Sequence, residues 1–242
     1  MTDSPSPIFL PEVTSTLDVA HDLAAKGAAP GTLIVADRQT AGRGRMGRSW
    51  RSEPGAGIWL TLIERPCDAS ALEVLSLRVG LALAPALDAF AESSVRLKWP
   101  NDLYVADRKL AGILIEARWR DAKPEWIAIG VGINLRPPAS EPRAGGLRDG
   151  VTRDDVLARI VAPLRAAAAC TGRLSDDELS AFAARDLARD RRCVEPVAGV
   201  VRGIDASGAL VVDVALSETG PAQVTTVRAG SLVLAEAVKE NS

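Results

Sequence analysis

Between Gly42 and Arg51 the sequence reads Gly42-Arg43-Gly44-Arg45-Met46-Gly47-Arg48-Ser49-Trp50-Arg51, with four arginines, three glycines and no acid. Crowded like charges repel one another unless an anion sits among them. Guanidinium forks match the oxygens of carboxylate and phosphate groups, and glycines let backbone N–H groups approach a ligand. Glycine also weakens helix and strand alike, so this stretch reads as a loop that closes over an anion. A second cluster, Lys98-Trp99-Pro100-Asn101-Asp102, is followed by Lys109-Leu110-Ala111-Gly112. The two lysines bracket a predicted hairpin, which can bring both ammonium groups to one end of a sheet. A lone lysine reads as solvated surface, a lone tryptophan as core and a lone aspartate as a turn residue. Five such residues in one strand-to-turn corner exceed what folding needs. A third segment, Gly130-Val131-Gly132-Ile133-Asn134, places an amide at the end of a glycine-thinned strand. Alone it is equally a strand with close backbone packing.

The elements that must hold these residues follow from periodicity. Apolar positions Leu17, Ala20, Leu23 and Ala24 predict a helix over 16–26, with Gly27 as its stop. A short strand over 32–36 feeds the arginine loop, and 57–64 reads as another, with Trp59 in the core. The Ala/Leu-rich run 72–91 predicts a buried helix that Pro85 kinks or ends. Strands are predicted over 95–99, 103–105, 109–119 and 125–135, with a turn at Asp107-Arg108. Strands in succession without intervening helices argue for an antiparallel or mixed sheet. Residues 136–150 read as a loop. Helices follow over 152–169, where Thr152 and Asp155 resemble a capping pair, and from the capping box Ser175…Glu178 to Asp190. After Cys193 short valine-rich alternations at 197–204, 210–216, 223–228 and 231–234, with a turn at Asp205–Gly208, fit a small β-barrel. Residues 1–8, rich in Ser and Pro, read as frayed.

Composition narrows the chemistry. The chain has 242 residues, 47% hydrophobic and 25% charged, with a net charge of −2, as in a soluble globular protein whose basic character is local. Its three cysteines, Cys67, Cys170 and Cys193, form no C-x-x-C pair and read as free, buried thiols of a reducing compartment. With no signal-peptide pattern and no long apolar run, a cytoplasmic location is expected and membrane attachment is not. The single histidine, His21, has no cysteine or carboxylate cluster near it in sequence and reads as a partly exposed helix residue. Zinc chemistry or a Ser-His-Asp triad would have to be built around it. Gly42-x-Gly44-x-x-Gly47 matches a dinucleotide fingerprint in spelling, and Glu64 lies where that fold puts its acid. Such a loop must open a helix. Here cations and then Glu53-Pro54-Gly55 follow instead, so the match is rejected. No G-x-x-x-x-G-K-[ST] phosphate loop occurs.

In order and spacing, GRGRMGRSW, KWPNDLYV with KLAGILIE, and GVGINL resemble the catalytic domain of the biotin–protein ligase (biotin–acetyl-CoA-carboxylase ligase) family. The resemblance covers nearly all of the chain after residue 10. It implies an α+β fold: a class II aminoacyl-tRNA-synthetase-like catalytic domain with a mixed sheet over 1–190, and a small SH3-like β-barrel over 191–242. It implies two steps, in which biotin and ATP give biotinyl-5′-AMP and pyrophosphate, and a lysine of a biotin-carboxyl-carrier domain of a carboxylase then takes the biotinyl group. By the same resemblance Ser15, Thr16, Gln39, Gly42, Arg43, Gly44, Arg45, Lys109 and Gly112 line the biotin side. Arg48, Lys98, Asn101, Asp102 and Asn134 face the nucleotide, its phosphates or the Mg²⁺ that accompanies ATP. Arg45, Lys109 and Asp102 are the expected catalytic set, and no protein-built metal site is expected. The family's usual Ser-Thr-Asn is Ser15-Thr16-Leu17 here, so an amide contact to the biotin head is lost or replaced. Some members carry an N-terminal winged-helix domain; this chain starts at the catalytic helix, so neither DNA binding nor a repressor function is expected.

The residues suit such a reaction without the family label. Joining a carboxylate to an α-phosphate brings anions together, so fixed positive charge is needed. Arg43, Arg45, Arg48, Lys98 and Lys109 supply it, and the first step needs no general base because a carboxylate is ionised near pH 7. Three rivals are weaker. A lipoate–protein ligase or octanoyltransferase shares the architecture, but that family's Arg-Arg and Gly-Gly-Gly run with a following His-Asp is absent. An RNA-binding Arg–Gly module would need more aromatic residues and a basic protein. A biotin-binding protein without turnover has only Leu17 as its hint.

Overall fold

The computed structural model describes residues 5–65, 68–215 and 222–235. A seven-stranded mixed sheet runs through the larger part of the chain. Its strands are β1 (Ile8–Val13), β2 (Leu33–Gln39), β3 (Gly57–Glu64), β4 (Arg96–Lys98), β5 (Asp102–Val105), β6 (Arg108–Arg120) and β7 (Lys123–Asn134), in the order β1-β2-β3-β7-β6-β5-β4. β1 and β2 pair in parallel and every other neighbouring pair is antiparallel.

Helix α1 (Thr16–Ala25) lies on one face, where Leu17, Ala20 and Ala24 pack with Ile34, Ile63, Trp126 and Ala128. Its start is set by Ser15, whose hydroxyl accepts the Leu17 N–H, and Gly27 past its end has φ 88°. Helices α2 (Leu75–Asp88) and α3 (Arg153–Ala168) take the opposite face, over Leu33, Val35, Leu60, Leu62, Ile129 and Val131. Alternate residues of the central strands thus serve two different layers. Helix α4 (Asp176–Arg185) is held by buried Arg78 of α2, which donates to Glu178 at 2.7 Å and to the Gly172 and Arg173 carbonyls. A buried guanidinium satisfied this fully locks the end of α4 to α2. Both expected capping pairs, Thr152 with Asp155 and Ser175 with Glu178, are complete capping boxes.

A second, antiparallel sheet holds β8 (Arg192–Glu195), β9 (Gly199–Ile204), β10 (Leu210–Ala215), β11 (Ala222–Val227) and β12 (Val233–Leu234), in the order β11-β10-β9-β8-β12. Its β9–β10 turn is the expected one, with Asp205 Oδ1 accepting from Ser207 and Ala209 and the Gly208 N–H closing on the Asp205 carbonyl. Trp99 ties this sheet to the larger one by donating to the Gly208 carbonyl at 2.9 Å.

Several expectations need correction. The region read as frayed leads directly into edge strand β1, whose pairing with β2 no local pattern announces because Pro11 interrupts it. The run 72–91 begins as a 3₁₀ turn at Ser70–Glu73, and α2 passes through Pro85 to Asp88. β2 runs three residues beyond Ala36, which places Gln39 at its end. α4 stops at Arg185, because Asp186 is extended and its backbone bridges to Leu97 of β4. β8 lies where the sequence shows only a change of character. Cys193 is buried but Cys170 is exposed. Cys67, residues 1–4 and Leu216 of the predicted strand 210–216 lie outside the described residues.

Candidate functional site

The sheet register lines up one row of residues: Trp59 opposite Gly132, Gly132 opposite Gly112, Gly112 opposite Asp102, and Asp102 opposite Lys98. Two glycines at the centre of this row leave a trough, and the Trp50 ring lies in it. A Cβ on Gly132 would meet the Trp50 ring at 2.6 Å, and one on Gly112 would meet it at 2.9 Å. Above this floor is a cavity of about 280 Å³. A cleft of about 250 Å³ adjoins it and shares the Trp50 and Lys109 side chains.

One end of the cavity is neutral. Gln39, at the end of β2, accepts through Oε1 from the Thr16 N–H at 2.9 Å, the Thr16 hydroxyl at 3.2 Å and the Ser15 hydroxyl at 3.4 Å. Its Nε2 donates to the Ser52 hydroxyl at 2.9 Å, and the Thr61 hydroxyl donates to Thr16 Oγ1 at 2.8 Å. Ser15, Thr16 and Thr61 are buried, and each is hydrogen-bonded, as buried polar groups must be. Leu17 lines this end too, 3% exposed and packed toward Gly130. An asparagine there would carry an amide into the apolar cluster under α1.

The other end is charged. Lys109 Nζ sits 2.8 Å from Asp102 Oδ1 and 5.3 Å from the Trp50 ring centroid. Lys98 Nζ lies 5.4 Å from the Tyr104 ring, and burial pushes its ammonium down, opposed by Asp102. Burial also lowers Arg45, whose guanidinium donates to Asn101 Oδ1 at 3.3 Å, while Asn101 Nδ2 holds the Ile113 carbonyl at 2.7 Å. Desolvated cations of this kind gain from an incoming anion. Asp102 is the one carboxylate among the described lining residues. The indole N–H groups of Trp50 and Trp59 have no hydrogen-bond partner among the described residues.

The arginine stretch crosses the cavity as a loop, tightened by a 3₁₀ turn at Arg45–Gly47 and a bridge between Arg43 and Ser49. Met46 forms its tip, 73% exposed and at φ 56°. Arg48 donates to the Ser231 hydroxyl at 3.3 Å, and Ser231, Leu232 and Val233 add a wall from the second sheet.

Of the residues singled out in the sequence, Ser15, Thr16, Gln39, Arg43, Gly44, Arg45, Arg48, Lys98, Asn101, Asp102, Lys109 and Gly112 all line this cavity. Gly42 stands behind its wall, where a Cβ would lie 2.5 Å from the Trp50 carbonyl oxygen. Asn134 lines the adjoining cleft, and its amide nitrogen donates to the Lys109 and Gly145 carbonyls at 3.3 and 3.2 Å. Sequence reasoning missed Ser52, Thr61, Tyr104, Ser231 and the position of Trp50. Only Trp50 left a signal, since two glycines that fall opposite each other in neighbouring strands leave room for a ring.

The biotin/lipoate A/B protein ligase family model matches residues 9–134. The bifunctional ligase/repressor BirA of Bacillus spizizenii is 39% identical over 135 residues, which is 55% of this chain and 42% of that protein's length. The biotin–[acetyl-CoA-carboxylase] ligase of Mycobacterium tuberculosis is 36% identical over 225 residues, 84% of this chain and 82% of that protein. The biotin protein ligase of Aquifex aeolicus, solved in complex with biotin and ATP, superposes with a TM-score of 0.73 at 25% identity, covering 95% of this chain and 98% of that one. The glycine-floored cavity, its cationic end and these likenesses agree: the chain belongs to the biotin/lipoate A/B protein ligase family.

Proposed function

We propose that the protein is an ATP-dependent biotin–protein ligase of the cytoplasm. A single observation carries this reading: one cavity joins a neutral, hydrogen-bonding end to an end with Arg45, Arg48, Lys98 and Lys109 around one carboxylate. Biotin has that polarity, an uncharged ureido ring at one end and a carboxylate at the other. Ser15, Thr16 and Gln39 would hold the ring, with Gly44 and Gly112 allowing close approach and Gly42 letting the loop root pack against Gln39, Ser52 and the Trp50 carbonyl. Lys109 and Arg45 would hold the carboxylate. In the first step that carboxylate attacks the α-phosphorus of ATP, forming a mixed anhydride as pyrophosphate leaves. Lys109 and the loop arginines offset charge gathering on the phosphoryl oxygens. The nucleotide would extend past Trp50 into the adjoining cleft, toward Asn134.

In the second step the amine of a carrier-domain lysine attacks the acyl carbon and AMP leaves, the amine proton passing to solvent through Asp102 or an oriented water. Closure of the loop would keep other water from the anhydride. Mg²⁺ would arrive with the phosphates. Among the described residues no group of three or more His, Cys, Asp or Glu could cage a metal. Asp102 and Asn101 fit such a nucleotide-borne ion, since magnesium keeps several waters and few protein ligands. A location in the cytoplasm accords with the free thiols and with the lack, among the described residues, of any helix long and apolar enough to cross a membrane. We read residues 1–190 as the catalytic domain of class II synthetase type and 191–242 as a small SH3-like barrel that walls the cavity.

Incubation with biotin, ATP, Mg²⁺ and an apo biotin-carboxyl-carrier domain tests the reading. Pyrophosphate release and a biotinylated lysine are expected; absence of both overturns it. Lipoate outcompeting biotin would assign the sister activity instead.

A further inference from the structure

One charged network beside the cavity is not accounted for by anion binding. The Arg43 guanidinium turns to two carboxylates: Nη1 donates to Asp18 of α1, and Nη2 donates to Glu116 Oε2 of β6 at 2.9 Å. Burial works against that charge, but the two carboxylates outweigh it and hold the guanidinium protonated. Glu116 Oε2 also meets His21 Nε2 at 2.9 Å, and Trp126 Nε1 donates to His21 Nδ1 at 3.0 Å. The indole donor requires a bare Nδ1, so Nε2 carries the proton and donates to Glu116. Asp18 is itself steadied by the Thr14 hydroxyl at 2.9 Å. The backbone on either side is pinned as well, with the Ala41 N–H on the Thr14 carbonyl and the Trp50 N–H on the Gly42 carbonyl, both at 2.8 Å. Beyond this root, among the described residues, the loop's side-chain ties to the rest of the protein carry no ion pair: Arg45 donates to Asn101 and Arg48 to Ser231, both at 3.3 Å, and Met46 is exposed at the tip.

We propose that Asp18, Glu116 and, through Glu116, His21 are positioning residues for the ligase reaction, the proposal resting on that functional reading. They withdraw Arg43 from the anion-binding set and use it to anchor the loop root. Arg45 and Arg48 then swing about a fixed point when the loop closes. The role of the lone histidine is to orient Glu116, not to transfer protons to substrate.

Trypsin reads the anchor directly, because four arginines lie between Gly42 and Arg51. In the ligand-free protein, Glu116→Gln and Asp18→Asn are expected to raise cleavage within that loop several-fold while the melting temperature holds. The same variants are expected to raise the biotin KM several-fold with kcat nearly unchanged. Glu116→Gln combined with Arg43→Ala is expected to be no worse than Arg43→Ala alone, since both break one contact. His21→Gln, which keeps an N–H donor, is expected to restore what His21→Leu loses. Unchanged cleavage in Glu116→Gln overturns the anchor. So does a lowered biotin KM in that variant, because a released Arg43 would then be binding the substrate carboxylate itself. Equal behaviour of His21→Gln and His21→Leu removes His21 from the network. If the wild-type protein makes no adenylate the functional reading fails, while the proteolysis result still decides the anchor.

Discussion

The two ends of the cavity are built on opposite principles. At the neutral end Gln39, Ser15, Thr16, Ser52 and Thr61 satisfy one another within the protein, so that end is formed before any ligand arrives. At the charged end Arg45, Arg48, Lys98 and Lys109 share one lining carboxylate, and burial lowers two of them. A saturated network is rigid and selects by shape and hydrogen-bond pattern. A cluster with excess like charge is incomplete until an anion joins it, and its worth appears as charge develops in the reaction. In the proposed reaction, recognition and activation would be separated along one trough, with the Trp50 ring as floor between them.

The contrast can be broken most severely at the charged end. Lys109→Ala or Arg45→Ala is expected to lower adenylate formation, followed as pyrophosphate release, by about 10²- to 10³-fold. The melting temperature should stay within a few degrees; its collapse would make these residues structural and erase the distinction. At the neutral end Gln39→Leu leaves the Thr16 N–H without its acceptor. It is expected to raise the biotin KM about tenfold with a smaller change in kcat, because it removes binding felt equally in ground and transition states. A kcat loss as large as that of Lys109→Ala would show that the two ends are not separable.

The smallest effect serves as a control outside both ends. Asp186 is 3% exposed; burial raises its carboxyl from 3.8 to about 6, with opposing help from the Ala188 N–H and from Arg96 and Arg189. Between these two values the folded protein holds a proton that the unfolded chain releases. Stability contributed here is therefore present below the lower value, declines as pH rises through the window, and stays lost above it. Asp186→Asn keeps an acceptor for Ala188 and is expected to stabilise the protein at pH 8 by about 1–3 kcal/mol, the gain vanishing near pH 4. Denaturant melts at the two pH values measure it, and ligase activity should not follow.

Much of this was legible in the sequence because it is local. The Arg–Gly loop, the Lys98–Asp102 corner, both capping boxes and strand 57–64 rest on the preferences of adjacent residues, and the structure keeps all of them. What failed was non-local. Strand β1 exists because β2 offers it a parallel edge, and α4 ends early because Asp186 bridges to Leu97. Pro85 is tolerated inside α2, a helix whose burial on the sheet does not depend on one backbone hydrogen bond.

The same division holds at the site. Residue types alone raised the expectation of an anion among the four arginines, although Arg43 and Arg51 find carboxylates of the protein itself at Asp18, Glu116 and Glu141; periodicity fixed that α1 buries Leu17, Ala20 and Ala24. Only tertiary structure decided which arginine does what. Arg43 and Arg45 differ by two positions in one motif and both line the cavity, yet one meets the carboxylates Asp18 and Glu116 while the other meets only the Asn101 amide oxygen. Their separation depends on carboxylates 25 and 73 residues away from Arg43. No local spacing encodes such a partner; the register of β6 against β7 and the seating of α1 on the sheet bring it there.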